Sequence, residues 1–322
     1  IDIIRIFDAL NDVRNIEVAV DETLKNGAIA SGAICYTQSP IHNLESYIKL
    51  AKQMEELGCQ TICIKDMAGI LGPKEAYDMV KALKENVKTP IILHTHCTTG
   101  LGMLTLQKAV EAGCDVIDTA ISSFSGGTSQ APTETMAYAL KQEGYDIDLD
   151  LSVLKDINDF FKPIKDEYLK KGSLNPLVLS TDTNALNYQI PCGMLSNLVA
   201  QLNAQNKMDK FNDVLLETPK VRKDLGYPPL VTPMSQMVCV QATVNVLVGE
   251  RYKNISKEVK AYIKGEYGRA PGEIDKDLMK KVLGDEEPIK GRFADSLEPG
   301  FEKAKKEIGE KAKSDEDVLS YI

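Results

Sequence analysis

Two of the three histidines in the chain lie one residue apart, in the stretch "IILHTHCTTG" at residues 91–100. The apolar run before them is typical of a strand, and the Thr-Thr-Gly after them is typical of a turn. Residues i and i+2 of a strand point to the same side, so His94 and His96 share one face. Two imidazoles on one face suit a divalent metal such as zinc, although two polar residues that close a strand would give the same pattern.

A lysine on the preceding strand bears on this choice. In "TICIKD" (61–66), the side chains of Cys63 and Lys65 share a face, and Lys65 lies at the carboxyl end. An ammonium group would repel a metal, so a lysine in this place would need a lowered pKa or would react with CO₂ to form a carbamate, which offers oxygen ligands. An ion pair between Lys65 and Asp66, or another carboxylate, is the ordinary structural alternative. Cys63 fits packing better than it fits a ligand.

Aspartates end two other predicted strands. Asp8, in "IFDALND", could orient a metal ligand, accept a hydrogen bond as a neighbour of the carbamate, or cap the helix that follows. Asp118, at the end of the fifth strand, is a weaker case of the same kind. Asp66 is a further candidate for the surroundings of the site, because it follows Lys65 directly.

The elements that would position these residues are β/α units. Strands are predicted near residues 1–7, 30–37, 60–66, 90–96 and 114–123, and a helix follows each of them. Such alternation predicts parallel strands with helices outside. No Gly-rich dinucleotide fingerprint follows any strand, and a closed barrel needs eight units. We therefore expect a (β/α)₈ TIM barrel whose first three units are absent from this chain. The site should lie at the carboxyl ends of the strands.

The alternation stops near residue 147, and helices are predicted at 151–172, 193–226, 232–249 and 254–268. Thr232, taken alone, would be the N-cap of the third of these helices, with Pro233 as its first residue. The expected domains are a barrel portion at 1–146, a helical extension that completes the active site at 147–283, and a charged helical tail at 284–322.

Composition excludes some classes of function. A net charge of −9 argues against nucleic acid and anionic membranes as main partners. The seven cysteines are scattered with no C-x-x-C pair, which favours a reducing compartment such as the cytoplasm. No apolar run approaches the length of about 20 residues that a membrane helix needs. Because the sequence opens directly on a strand, we expect it to be part of a longer protein.

Four motifs carry a family resemblance: "CIKDMAG" (63–69), "HTHCTTG" (94–100), "SGGTSQAPTE" (125–134) and "DLGYPPLVTPMSQMV" (224–238). Together and in this order they resemble the carboxyltransferase domain of biotin-dependent enzymes, a family that includes oxaloacetate decarboxylases and pyruvate carboxylases. The resemblance implies transfer of a carboxyl group between oxaloacetate and pyruvate, with biotin as acceptor or donor on a separate carrier domain.

The resemblance also assigns roles to residues. It implies that Lys65 is carboxylated and binds a divalent metal together with His94 and His96. Zinc is expected, with manganese or cobalt as alternatives. Thr232 would relay a proton between biotin and the methyl carbon of pyruvate, and Ser235 would lie against the biotin ring.

Several properties depend on what lies outside this sequence. The family forms homodimers, and a biotin carboxylase subunit or a membrane decarboxylase subunit would set the direction of the reaction. The family's aspartate ligand and its keto-acid arginine belong to a stretch that this chain lacks, and Cys192 in "PCG" (191–193) replaces a family glycine.

Two alternatives remain open from the sequence. An aldolase-type lyase or acyl-CoA condensing enzyme would share the H-x-H barrel strand, but it would lack Lys65 in "KDMAG" and the Thr232–Ser235 pair. A non-catalytic assembly fragment, whose helical half docks a partner subunit, is the other.

Overall fold

The computed structural model describes residues 1–183, 185–186, 198–199 and 202–321. Five strands form one parallel sheet in chain order: β1 (Ile3–Ile6), β2 (Ile29–Cys35), β3 (Thr61–Asp66), β4 (Ile91–Thr95) and β5 (Val116–Ile117). Helices follow the strands as α1 (Glu17–Lys25), α2 (Leu44–Glu56), α3 (Pro73–Asn86), α4 (Gly102–Glu111) and α5 (Thr133–Gln142). The predicted β/α alternation and parallel pairing are confirmed.

The strands present two apolar faces because successive side chains point in opposite directions. On β3, Ile62 and Ile64 are fully buried in the main core between the sheet and its helices. On the opposite face, Ala33, Cys63 and Ile92 form a small separate cluster. The next row on that inner face contains Cys35, Lys65 and His94, which are register partners across β2, β3 and β4.

The sheet is strongly curved. Arg5 on β1 forms an ion pair with Asp118, just beyond β5, with Nη1 and Oδ2 2.5 Å apart. Four strand spacings of about 4.8 Å would separate these two strands by roughly 19 Å in a flat sheet, beyond the reach of the side chains. The contact therefore requires the curvature of a barrel wall, in agreement with the predicted barrel architecture.

The fifth predicted strand is shorter than expected. The structure has β5 at Val116–Ile117 and one further parallel bridge between Ala120 and Pro132, whereas 114–123 was predicted. A 3₁₀ turn at Ser122–Phe124 takes the chain out of the ladder.

The helical half contains α6 (Leu151–Lys171), α7 (Phe211–Asp224), α8 (Met234–Val248), α9 (Lys257–Lys264), α10 (Lys276–Leu283), α11 (Gly300–Ile308) and α12 (Asp315–Tyr321). The stretch predicted to be helical over 193–226 falls partly outside the described residues. Most of its described part is helical, but the helix is interrupted, because Asn206 adopts a left-handed conformation (φ 54°) and α7 begins only at Phe211. No helix in the described ranges is long and apolar enough to cross a membrane.

The two halves meet at the loops that follow β1 and β2. Leu10, in the β1–α1 loop, belongs to the apolar core of the helical half. Buried Arg222 on α7 donates to the carbonyl oxygen of Gln38 (3.0 Å) and to Oγ1 of Thr37 (2.7 Å), both beyond β2. The side-chain amide of Asn15 donates to the carbonyl oxygen of Tyr267 (3.2 Å). The helical half is therefore fixed to the carboxyl end of the sheet.

Candidate metal centre

Strand register brings the three predicted ligands together. Lys65 and His94 are direct partners in the β3–β4 pair, and His96 follows on the same face. The imidazole rings of His94 and His96 are 5.1 Å apart between centroids, and their Nε2 atoms are 3.1 Å apart. Two ligand nitrogens at roughly 2.1 Å from one ion would lie at about this separation.

Hydrogen bonds at the other ring nitrogens determine what the two Nε2 atoms can do. Nδ1 of His94 lies 2.8 Å from Oδ2 of Asp118, and Nδ1 of His96 lies 2.5 Å from the carbonyl oxygen of Thr128. Both partners are acceptors, so both Nδ1 atoms carry the proton. In the neutral tautomers two Nε2 lone pairs then face each other, and a cation between them relieves the repulsion.

Burial favours the neutral ring at one of these positions. Desolvation is the main cause that lowers the pKa of His96 to about 4, and the charges of His94 and Lys65 act in the same direction. A neutral imidazole is the form that binds metal. The arrangement therefore suits a shared divalent cation better than a protonated imidazole pair.

The glycine-rich loop positions the acceptor for His96. Gly127 has φ 50°, and a Cβ there would lie 2.2 Å from the carbonyl oxygen of Val178. The amide of Thr128 donates to the same carbonyl oxygen at 2.8 Å, which fixes the peptide whose own oxygen accepts from His96. Sequence reasoning missed Thr128 because the contact is made by its backbone.

Asp118 connects the imidazole to a guanidinium. Burial would raise the pKa of Asp118, but hydrogen bonds from His94 and Arg5 outweigh it and lower the pKa to about 2. The carboxylate therefore stays charged and holds both partners. The Nε atom of Arg5 is buried without a hydrogen-bond partner among the described residues. Arg5 is a site residue that the sequence reasoning did not single out.

The amine of Lys65 lies over an aromatic ring. Its Nζ is 4.5 Å from the centroid of the Phe7 ring, and desolvation lowers its pKa. Among the described residues no carboxylate lies within 4 Å of this amine. The ion pair between Lys65 and Asp66 that the sequence left open is therefore not formed.

Asp66 has a different role from the predicted one. It is fully buried on the opposite face of β3, where it accepts hydrogen bonds from the amides of Ile70 (3.1 Å) and Leu71 (2.9 Å) and from Oγ1 of Thr95 (2.8 Å). Adjacent residues of a strand point to opposite faces, so its carboxylate does not surround the metal centre. It joins the loop after β3 to the strand that carries the histidines.

Asp8 also serves a loop. Its carboxylate accepts from the amides of Leu10 (2.9 Å) and Asp12 (3.0 Å) and from the side-chain amide of Asn15 (3.0 Å). These bonds favour the capping role, one of the alternatives that the sequence left open, over contact with a ligand. Asp118 is the aspartate that contacts an imidazole.

The described residues do not complete a metal site with ordinary ligands. No group of three His, Cys, Asp or Glu side chains that could hold an ion occurs within them. Cys63 is fully buried, and desolvation raises its pKa to about 12, so it remains a thiol and packs as predicted. Carboxylated Lys65, which the family resemblance implies as a further ligand, stays a prediction.

Thr232 and Ser235 lie in the helical half. Helix α8 begins at Met234, and Pro233 occupies the N-cap position without a side-chain bond, so the N-cap prediction for Thr232 is wrong. Thr232 is exposed. The Ser235 hydroxyl is buried and has no hydrogen-bond partner among the described residues. Cys192 lies outside the described residues.

Comparison with family models divides the chain into two parts. Residues 6–161 match the HMGL-like family, and residues 185–322 match a conserved carboxylase domain. The curved parallel sheet with two imidazoles at its carboxyl end lies within the first match, and most of the helical half lies within the second, so the chain resembles proteins of the carboxylase class.

Comparison with individual proteins shows which carboxylases and carboxyltransferases the chain resembles. The chain is 54% identical over 324 residues to a pyruvate carboxylase subunit of Methanocaldococcus jannaschii, matching 100% of this chain and 57% of that protein. It is 46% identical to the methylmalonyl-CoA carboxyltransferase 5S subunit of Propionibacterium freudenreichii, matching 99% and 64%. The carboxyl transferase domain of Rhizobium etli pyruvate carboxylase, solved with pyruvate and biocytin, superposes with a TM-score of 0.90 at 29% identity, covering 100% and 57%.

Over its whole length the chain is therefore similar to subunits and domains of carboxylases and carboxyltransferases. It spans a little over half the length of the first of these relatives.

Proposed function

We propose that this chain transfers a carboxyl group between oxaloacetate and pyruvate, with biotin as the other partner, in either direction. The imidazole pair of His94 and His96, whose Nε2 atoms face each other at 3.1 Å, is the observation that carries the proposal. The relative named as a pyruvate carboxylase subunit and the structural neighbour solved with pyruvate and biocytin support the choice of substrates.

His94, His96 and carboxylated Lys65 would hold a divalent metal, with zinc expected and manganese or cobalt as alternatives. When bound, such an ion supplies a Lewis acid that polarises the keto group of the substrate. Asp118 and the carbonyl oxygen of Thr128 would act as positioning groups, because their contacts with the two Nδ1 atoms leave both Nε2 atoms free to hold the ion.

Lys65 becomes a ligand by reaction with CO₂. The neutral amine forms a bond from nitrogen to the carbon of CO₂ and loses one proton, which leaves an anionic carbamate. Desolvation, which lowers the pKa of Lys65, and the absence of a carboxylate partner among the described residues leave the amine available. The resulting negative charge removes the repulsion that an ammonium group would impose on a metal.

Arg5 and Thr232 would act on the substrates. The Arg5 guanidinium lies beside the metal centre, and its buried Nε, which has no hydrogen-bond partner among the described residues, would donate to a keto-acid carboxylate. As the carboxyl group leaves oxaloacetate, the carbon gains a proton and N1 of biotin loses one. The Thr232 hydroxyl gives its proton to the carbon and takes the proton from N1, so it ends unchanged. The Ser235 hydroxyl, which lacks a hydrogen-bond partner in the described ranges, would contact the biotin ring.

The chain would consist of a barrel portion (1–146) that carries the metal centre, a helical extension (147–283) that carries Thr232, and a charged tail (284–322). Biotin would arrive on a separate carrier domain. The partner would be a biotin carboxylase subunit or a membrane decarboxylase subunit, and the chain would act as a cytoplasmic homodimer.

Metal content and intact mass of the chain under CO₂ test the ligand set. We expect one tightly bound divalent metal and one added CO₂ in the wild type, and loss of both in Lys65→Ala. Lys74→Ala is the matched control, since Lys74 is exposed and pairs with Asp78 away from the site. Full metal content in Lys65→Ala would remove Lys65 from the ligand set.

The role of Thr232 is tested by isotope exchange between oxaloacetate and pyruvate with added biotin. Thr232→Ala should abolish the exchange and retain the metal, whereas Thr232→Ser should keep measurable exchange because it retains the hydroxyl. Equal exchange rates in the wild type and Thr232→Ala would rule out the relay.

A further inference from the structure

A second cavity lies away from the metal centre, where the β1–α1 loop, helix α2 and the segment 269–271 of the helical half meet. Its volume is about 410 Å³. This lies within the range of roughly 300–1,000 Å³ that is typical of small-molecule sites. The metal ligands do not line it.

The walls of this cavity are held in place by direct contacts. The amide of Arg269 donates to Oδ2 of Asp12 at 3.0 Å, and the Asn15 amide donates to the carbonyl oxygen of Tyr267. Gly268 has φ 118°, and a Cβ there would lie 2.8 Å from the side-chain nitrogen of Asn15. These contacts hold the segment from the helical half against the β1–α1 loop, so the walls of the cavity have fixed positions.

The charges that line the cavity are unbalanced. Three cations line it, Arg14, Lys49 and Arg269, against a single carboxylate, that of Asp12. Arg14 already neutralises Asp12 at 2.5 Å. Neither Lys49 nor Arg269 has a carboxylate within 4 Å in the described part of the chain. Lys49 and Arg269 therefore give the cavity a local positive charge that the described residues do not neutralise, although the chain as a whole has a net charge of −9.

The remaining lining is apolar or neutral. Buried Leu10, Tyr47 and Leu50 form the floor. Gln53 lies one helical turn after Lys49 on the same face of α2, so both can address one ligand group. His42, on the rim, adds no charge at neutral pH because burial, with the charge of Arg222, lowers its pKa to about 4.

We propose that this cavity binds a small organic anion, a phosphate or carboxylate on an apolar body, with Lys49 and Arg269 meeting the charged group and Leu50 and Tyr47 contacting the body. The β1–α1 loop that forms one wall also carries Phe7 and Asp8 at its start. A bound anion therefore contacts the segment that runs directly into the surroundings of Lys65.

Calorimetric titration of the full chain at low ionic strength tests this site, with phenyl phosphate as the probe. We expect phenyl phosphate to bind about tenfold tighter than inorganic phosphate, because its ring buries apolar surface on the floor. Benzoate should also bind, and phenol, which lacks the charge, should not. Binding should weaken as salt is added.

Variants separate this site from general surface attraction. Lys49→Ala and Arg269→Ala should each weaken phenyl phosphate about tenfold, as expected for the loss of a hydrogen bond to a charged group. Lys49→Arg should retain binding. Lys52→Ala is the matched control, because Lys52 is exposed on the same helix and does not line the cavity. Equal affinity in Lys49→Ala and Lys52→Ala, or binding of phenol as tight as that of phenyl phosphate, would overturn the proposal.

Discussion

Replacing Asp118 by asparagine should weaken metal binding without removing a ligand. In the wild type, Oδ2 of Asp118 accepts from Nδ1 of His94 at 2.8 Å and from Nη1 of Arg5 at 2.5 Å. An amide nitrogen in that position would face two donors. If the amide were flipped, it would direct its NH₂ at Nη2 of Arg5 and still lack the negative charge.

The size of the effect follows from these contacts. The Asp118 side chain is 25% exposed and that of His94 is 18% exposed, so solvent screens the pair only in part. Loss of such a partner from a metal-binding histidine typically weakens metal affinity by about 10–100-fold, or roughly 1.4–2.7 kcal/mol. Competition with a chromogenic chelator measures this affinity directly.

Asp115→Asn is the matched control for this experiment. Asp115 also accepts from a cation, Lys84, and from the amide of Ile91, but it lies at the start of β5 and away from the imidazoles. We expect it to lose some stability and to keep its metal affinity. The reasoning fails if Asp118→Asn binds metal as tightly as the wild type, or if Asp115→Asn loses as much.

Three further predictions concern the supports of the site. Gly127→Ala should lower metal affinity, because its Cβ would displace the loop, whereas Gly113→Ala, whose Cβ meets open space, should not; equal affinities would contradict this. Asp66→Ala should reduce the free energy of unfolding by about 3 kcal/mol in denaturant titrations, since three donors lose their acceptor. Although burial acts to raise the pKa of Asp12, its hydrogen bonds to Arg14 and to the Arg269 amide lower it. The wild type should therefore have a higher free energy of unfolding than Asp12→Asn above a pH of about 4. This difference should be lost as the pH falls from there through the lowered pKa of Asp12, which unfolding measured at a series of pH values would show.

The period-two rule accounts for what the sequence predicted well. It placed His94 with His96 on one face of their strand and Lys65 with Cys63 on one face of theirs, and the register shows that Lys65 and His94 are neighbours. The same rule, applied to Asp66, would have directed it to the opposite face, where the structure has it. The error arose because proximity in sequence was taken for proximity of side chains.

Other contacts had no local signal. Arg5 and Asp118 are 113 residues apart, and they meet only because the sheet curves. Thr128 contributes a carbonyl oxygen, which every residue type possesses. The interruption at Asn206 depends on a left-handed conformation that the helical pattern around it did not reveal. The roles of Thr232 and Ser235 come from family resemblance, and they stay predictions.

The contacts between the loop after β1 and the helical half have a consequence for the order of folding. The loop at residues 8–15 is fixed by Tyr267, Arg269 and, through Arg14, the carbonyl oxygen of Lys290, at sequence separations of 252, 257 and 276 residues. During synthesis this loop leaves the ribosome 252 or more residues before these partners do. The described sheet can therefore form from its local β/α units, while the loop beside Lys65 gains its final contacts only after the helical half has been made.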